Sequence, residues 1–504
     1  MDDGPSPLRS PIIPTLPICP IEYEWDEKSK MFTIYIGIPH DHPGIRISAL
    51  NLIHVWLCEQ TFKYLDNSDR SFSLGAVRTF RILCSAVRQD FAGPTAAAVI
   101  AKEEFLPPLD AASARETLRR TRPNNIPVDQ LSCLPRAFAS VSYPELCALV
   151  VLFPSLENLV LRGVVTGVFP YLTRVAPPAW LPEEEWAGEI ALKTLVIDLT
   201  LDPVATGLQP PCEDQQLNIA QVLCPLALFK QVDDLILRNA GPVVRQMGDH
   251  TPYLGPYVTE EGTVSFIGID VSCIKHLHIK GDHTCESVLR EMVKLIQGDK
   301  TGRCLETLEI EKLYKVDMSA LRYFVYRIGG EIKRMIFELM DQEYDFGATA
   351  HSCGFIYPHL EELSLRVTQR PKTARPETMT LKDTCRWYAF GTALECFVGE
   401  VSTPRLQTLY LEVKWRPEQA HGRNSVHALG DPMVPIVAPA IEKILEPLWI
   451  LGKIHIYGIW PDETPGCVQE SAAKELFPKL SMLTRLAAPP MQVMHWHRYW
   501  APWI

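Results

Sequence analysis

Ile274-Lys275-His276-Leu277-His278-Ile279 is the stretch on which the fold is decided. Apolar residues hold its first, fourth and sixth positions. The last three residues have period two, which puts Leu277 and Ile279 on one side of a strand and His276 and His278 on the other. The spacing recurs upstream at Leu156, Leu159, Leu161; at Leu192, Leu195, Ile197; and at Val232, Leu235, Leu237. Downstream it returns at Leu305, Leu308, Ile310; Ile332, Met335, Phe337; Leu360, Leu363, Leu365; Leu406, Leu409, Leu411; and Leu451, Ile454, Ile456. Leu480 and Leu483 close the series in weaker form, and successive first positions lie 27 to 46 residues apart. Ten instances at such intervals mark an internal repeat.

Helical patterns fill the intervals. Residues 285–297 carry Val288, Leu289, Met292, Leu295 and Ile296 on one face, with Thr284 placed as cap and Gly298 just beyond. Residues 318–328 stop at Gly329-Gly330, and further helices are expected over 215–230, 381–398 and 436–451. Strand, helix, strand, helix demands parallel strands joined by crossovers. A doubly wound sheet buries both strand faces and would be apolar throughout. Here the residues flanking the apolar pairs are mostly polar, as at Asn158, Thr194, Thr307 and Ser364. The expected class is therefore α/β, a solenoid with a curved parallel sheet on its concave side and helices and irregular loops on its convex side.

The rest of the chain is less regular. Residues 1–30 hold Pro5, Pro7, Pro11, Pro14, Pro17 and Pro20 and read as a proline-rich disordered tail. Residues 31–150 read as a helix-rich, irregular capping region, with strands at 31–38 and 77–83 and helices at 45–65 and 96–120. The solenoid is assigned to 151–488. Residues 489–504, with His495, Trp496, His497, Trp500 and Trp503, read as an aromatic C-terminal cap.

Composition narrows the function. In 504 residues there are 49 basic and 60 acidic side chains, a net charge of −11, which argues against a general nucleic-acid binder. The N-terminus has no basic and apolar signal pattern, and no apolar run approaches 18 residues, so neither secretion nor a membrane span is expected. The 14 cysteines never form a Cys-x-x-Cys pair, and Cys147 sits in an apolar run as a small core residue. A reduced cytoplasmic or nuclear setting fits this usage.

Catalytic signatures do not assemble. Asp345-Phe346-Gly347 has no kinase catalytic or glycine-rich loop to work with, and 298–302 lacks the Gly-Lys-Ser/Thr of a phosphate cradle. His276, His278, His283 and Cys285 form the nearest approach to a metal cluster, but zinc sites use well-separated ligand pairs. Two histidines on a solvated strand face is the preferred reading, and no cofactor is assigned. His40, Asp41 and His42 lie in a proline-flanked loop.

The repeat resembles the leucine-rich-repeat superfamily in its irregular form. A Phe/Tyr/Thr-Pro lead-in precedes the triplet at Phe153-Pro154, Tyr357-Pro358, Thr403-Pro404 and Phe477-Pro478, which is similar to the repeat regions of fungal F-box-like proteins. That family usually carries an N-terminal F-box, whose nearest counterpart here is the poor match Ile126-Pro127-Val128-Asp129-Gln130-Leu131. The resemblance implies protein binding and, through an F-box, a substrate-recognition role with a ubiquitin-ligase adaptor as partner.

The expected function is non-enzymatic binding of a protein partner on the concave face. Its candidate residues are Arg162, Arg238, His276, His278, Glu309, Arg334, Glu362, Arg366, Tyr410, His455 and Tyr457. With Lys280 and Lys453 added on the basic side, and Asp198, Asp234, Glu311, Glu338 and Glu412 on the acidic side, that face is of mixed sign. The long inserts 239–262, 368–380 and 413–434 are the other candidate surface. An enzyme of α/β fold with an unrecognised site is the alternative from another class.

Overall fold

The structure, a computed structural model, describes residues 21–38, 45–46, 74–86, 139–142, 146, 150, 152–167, 191–200, 217, 219–244, 256–258, 264–266, 271–281, 283–295, 305–314, 316–328, 331–340, 357–369, 403–415, 439, 442–443, 453–459, 474, 477–482 and 486–487. Its centre is one large, mostly parallel sheet. The strands in chain order are β1 (Ile21–Asp26), β2 (Met31–Ile38), β3 (Ile45–Arg46), β4 (Thr79–Ala86), β5 (Ala139–Ser142), β6 (Asn158–Arg162), β7 (Val164–Gly167), β8 (Ala191–Asp198) and β9 (Gln231–Arg238). They continue with β10 (Pro256–Val258), β11 (Val264–Phe266), β12 (Ile274–Lys280), β13 (Thr307–Leu313), β14 (Arg334–Met340), β15 (Glu362–Gln369), β16 (Thr408–Trp415), β17 (Lys453–Ile459) and β18 (Leu486–Ala487). Thirteen of them form the sheet β1-β2-β4-β6-β8-β9-β12-β13-β14-β15-β16-β17-β18, so spatial order follows chain order without reversal. Strands β3, β5 and β7 make a small second sheet, and β10, in the insert at 239–262, pairs with β11 just after it.

The triplets set the register. Phe80, Leu159, Leu195, Leu235, Leu277, Leu308, Met335, Leu363, Leu409 and Ile454 are successive cross-strand partners. Ile82, Leu161, Ile197, Leu237, Ile279, Ile310, Phe337, Leu365, Leu411 and Ile456 form a parallel row two residues on. Because side chains alternate, both rows lie on one face. There the rows, with Ile456 placed by register alone, join a single buried cluster with the helices α1 (Ile219–Leu223), α2 (Glu286–Lys294) and α3 (Asp317–Ile328), through residues such as Val288, Leu289, Met292, Leu321 and Phe324. Each fully buried aliphatic side chain contributes roughly 1.5–3 kcal/mol, and no single strand and helix could offset its own ordering entropy without its neighbours.

The lead-in dipeptides have a local role. Phe153, Tyr357, Thr403 and Phe477 are buried, while the prolines after them are exposed. The carbonyls of Phe153, Tyr357 and Thr403 accept from the N–H three residues on (2.9, 3.3 and 3.2 Å), closing a turn whose second residue is the proline. After β9 the chain turns at Asn239 (φ 53°), whose N–H donates to Lys280 O at 2.7 Å and whose Nδ2 donates to Thr200 Oγ1 at 2.7 Å.

Several expectations need correction. The ladder starts earlier than residue 151, because Val77, Phe80 and Ile82 are a further triplet and are all buried. Earlier still, Ile21–Asp26 lies in the segment read as a tail yet pairs antiparallel with β2, since the prolines end at Pro20 and an alternating Ile-Glu-Tyr-Glu-Trp run follows. The expected helix at 45–65 begins with the two strand residues Ile45–Arg46; its remainder lies outside the described residues, as do the helices at 96–120 and 381–398, the F-box-like 126–131 and the cap at 489–504. Leu480 is not a strand residue. It falls in helix α4 (Pro478–Met482), where Pro478 in the first turn favours helix, and the strand after it is Leu486–Ala487. Helix α2 ends at Lys294, short of residue 297; Cys285 occupies its N-cap position, and the Thr284 hydroxyl oxygen accepts from the Glu286 N–H at 3.2 Å, as the capping reading expects.

Candidate functional site

The face opposite the helices is built from three outward rows, and all eleven candidate residues occupy them. His276, Arg334 and Glu362 stand on the first row, together with Asp234 and Thr307. His278, Glu309, Tyr410 and His455 stand on the second, and Arg162, Arg238, Arg366 and Tyr457 on the third. His455 and Tyr457 are placed by strand register alone.

The middle of the face is an ionic lattice. His278 presents Nδ1 to Glu309 Oε2 at 2.8 Å and Nε2 to Asp234 Oδ1 at 3.6 Å. Burial alone would push the imidazole pKa down. The carboxylates of Asp234 and Glu309 outweigh it and raise the value to about 9, so His278 is an imidazolium at neutral pH. Glu309 is held below the usual carboxylate range, its own burial being outweighed by His278 with help from Arg366 and Arg334. Arg334 Nε contacts Glu362 Oε1 at 2.6 Å, and Lys280 pairs with Glu311 at 3.4 Å. His276 behaves oppositely to its neighbour, because burial lowers its pKa further than Asp234 restores it. Burial, then Glu362, pushes the Tyr410 phenol up.

The metal-like cluster is split by this geometry. Both ring nitrogens of His278 face carboxylates, which suits an imidazolium and leaves no lone pair for a metal. Cys285 is buried on the helix side, with its thiol pushed well up by burial and by Asp317. Among the described residues no three His, Cys, Asp or Glu side chains are arranged to hold a metal ion.

The face is less uniformly polar than its flanking residues suggest. Val160, Val196 and Ile236 follow one another on the second row, 3–5% exposed, and form a small apolar cluster with Leu83. The polar flanks of the triplets alone do not reveal them. Two clefts open here. One of about 40 Å3 lies between β12 and β15 beside His278, Glu309, Glu338 and Arg366. The other, about 260 Å3, lies over Leu83, Val160 and Val196 and is rimmed by Arg81, Arg162, Arg238 and Lys280. Arg81 and its register partner Thr33 carry buried polar atoms, Nε and Oγ1, without a hydrogen-bond partner.

A residue on the helix side was also missed. Asp317 is fully buried and accepts from Cys285 N (2.9 Å), Tyr314 N (2.7 Å) and the Thr284 hydroxyl, tying the start of α2 to the turn before α3. Burial raises its pKa despite these donors. No helix among the described residues is long and apolar enough to cross a membrane. The chain matches no protein-family model and no curated protein.

Proposed function

We propose that this chain is a leucine-rich-repeat-like solenoid that binds a protein partner, without catalysis, on its outward sheet face. The observation that carries the reading is the register: every candidate residue falls on one face of a sheet whose strands follow chain order. Twelve inter-strand steps of about 4.8 Å give that face a length of about 58 Å, a scale suited to a protein or an extended peptide. The two clefts described among its residues, about 40 and about 260 Å3, fall below the roughly 300–1,000 Å3 of pockets that enclose small ligands. Half-buried His276 and Tyr410 and the Arg334–Glu362 pair are amphipathic anchors of the kind that dominate interface energetics.

Affinity capture on the full chain tests this. Tyr410→Ala and Arg366→Glu should each lose the captured partner while keeping a cooperative melting transition above the assay temperature. Arg290→Glu, on the exposed side of α2, should retain it. A partner kept by both sheet-face variants and lost with Arg290→Glu refutes the proposal. Recovery of a ubiquitin-ligase adaptor among the captured proteins would support the F-box-type version of the same role.

A further inference from the structure

Arg81 is the anomaly of the outward face. It stands on β4 at 8% exposure, and its Nε is buried without an acceptor. Among the described residues its guanidinium makes one hydrogen bond, from Nη1 to the Met31 sulfur at 3.4 Å. A thioether is a weak acceptor, and a buried guanidinium lacking a carboxylate is costly to keep. The side chain lines the 260 Å3 cleft, together with Arg162, Arg238, Lys280 and Lys312. Two carboxylates line it too, and both are engaged: Asp198 with Arg162 at 3.8 Å, and Glu311 with Lys280 at 3.4 Å. Five cations and two anions line the cleft, in a chain of net charge −11.

We infer that this cleft receives an acidic peptide segment of the protein partner, one carboxylate completing Arg81 and a neighbouring aliphatic side chain meeting the floor of Leu83, Val160 and Val196. The inference deepens the sheet-face reading and rests on it. The floor is what favours a peptide over a bare anion, because a free phosphate has nothing apolar to place there. The guanidinium supplies a planar fork that a carboxylate can engage with two hydrogen bonds.

The test uses the full chain and fluorescence anisotropy with a dye-labelled hexapeptide of alternating aspartate and valine. The same peptide with asparagine for aspartate, and inorganic phosphate as competitor, are the comparisons. The acidic peptide should bind about tenfold or more tightly than the asparagine peptide, and the advantage should shrink as salt rises. Arg81→Met should weaken binding about tenfold or more and melt no lower than the parent, since it removes a charge with no carboxylate beside it. Arg162→Glu, on an exposed side chain, should weaken binding with the fold intact. Equal binding of the two peptides, absent binding, or affinity unchanged in both variants overturns the inference. Phosphate that binds as tightly as the peptide overturns it in favour of a free-anion site, and a lower melting temperature for Arg81→Met makes Arg81 a structural residue. In each of these cases, loss of the captured partner by Tyr410→Ala and Arg366→Glu would leave the sheet-face proposal standing.

Discussion

His278 should make the stability of the sheet fall as the solution becomes alkaline. Its folded pKa of about 9 lies above the ordinary 6.5, so the folded state binds the proton more tightly than the unfolded chain. The contribution is therefore complete below pH 6.5 and disappears as pH rises through about 9. At about 1.36 kcal/mol per pH unit, the interval from 6.5 to about 9 corresponds to an upper bound of about 3 kcal/mol. The depressed pKa of Glu309 is the same interaction seen from its partner and is not added. The side chain is 17% exposed, so solvent screening is modest. His276, whose pKa burial lowers, acts with the opposite sign and below pH 6.5, outside this window. Urea unfolding between pH 6.5 and 10 should show the parent losing stability, by up to about 3 kcal/mol, relative to the double variant His278→Gln/Glu309→Gln, which lacks both titrating groups. Parallel pH profiles for the two proteins would refute the reasoning, since groups elsewhere in the chain contribute equally to both.

Three further outcomes test the packing. Leu363→Asp places a carboxylate where the side chain is fully buried, and should cost more than about 4 kcal/mol, visible as loss of the cooperative melting transition. Asp317→Ala orphans the buried Cys285 N–H and the Tyr314 N–H; about 3 kcal/mol lost in urea unfolding, with α2 and α3 amides exchanging faster, is the expected result. Gly163→Ala adds a Cβ 2.6 Å from Cys84 O at a residue with φ +64°, and should lower stability by about 1–3 kcal/mol in the same assay.

How much of this was legible in the sequence follows from what each residue responds to. Leu277, Leu308 and Met335 read correctly because their only requirement is burial against two neighbours, and the triplet spacing expresses that directly. Val77, Phe80 and Ile82 satisfy the same rule, and the strand expected at 77–83 is the rung they form, but about 70 residues of irregular sequence separate it from the next triplet and mask its membership of the series. Leu480 obeyed the spacing and still became helical, because Pro478 and the short run to Leu486 favour one helical turn before the last strand. The outward rows were placed correctly by parity. Their chemistry was not, since whether His278 is an imidazolium depends on Asp234 and Glu309, which lie 44 and 31 residues away in the chain. Arg81 gave no local signal at all. Its isolation exists only because of what β2 and β6 fail to offer across the sheet.

One pattern ties the order of strands to the sequence more tightly than the apolar rows do. From the triplet at Val77 to that at Leu360, the residue after the first apolar position runs Arg78, Glu157, Lys193, Asp233, Lys275, Glu306, Lys333, Glu361, alternating in sign; Gln407 and Gly452 end the series. Neighbours in this file are paired at 3.1 Å (Arg78–Glu157), 2.7 Å (Lys193–Glu157), 2.7 Å (Lys275–Asp233) and 3.2 Å (Lys333–Glu306). Exposed pairs of this kind stabilise by only about 0.2–1 kcal/mol each, so their sum does not hold the sheet together. What they add is discrimination. All the apolar rows look alike, and a strand that skipped its neighbour and paired with the next would bury its leucines equally well. In the charge file the same error sets Arg78 against Lys193, or Glu157 against Asp233, and every skipped pairing meets a like charge. Leucine thus makes stacking favourable, and the alternating file makes chain order the favoured order. The continuity of the outward face from β4 to β15, and with it the placement of Arg81 and His278 on one surface, depends on both.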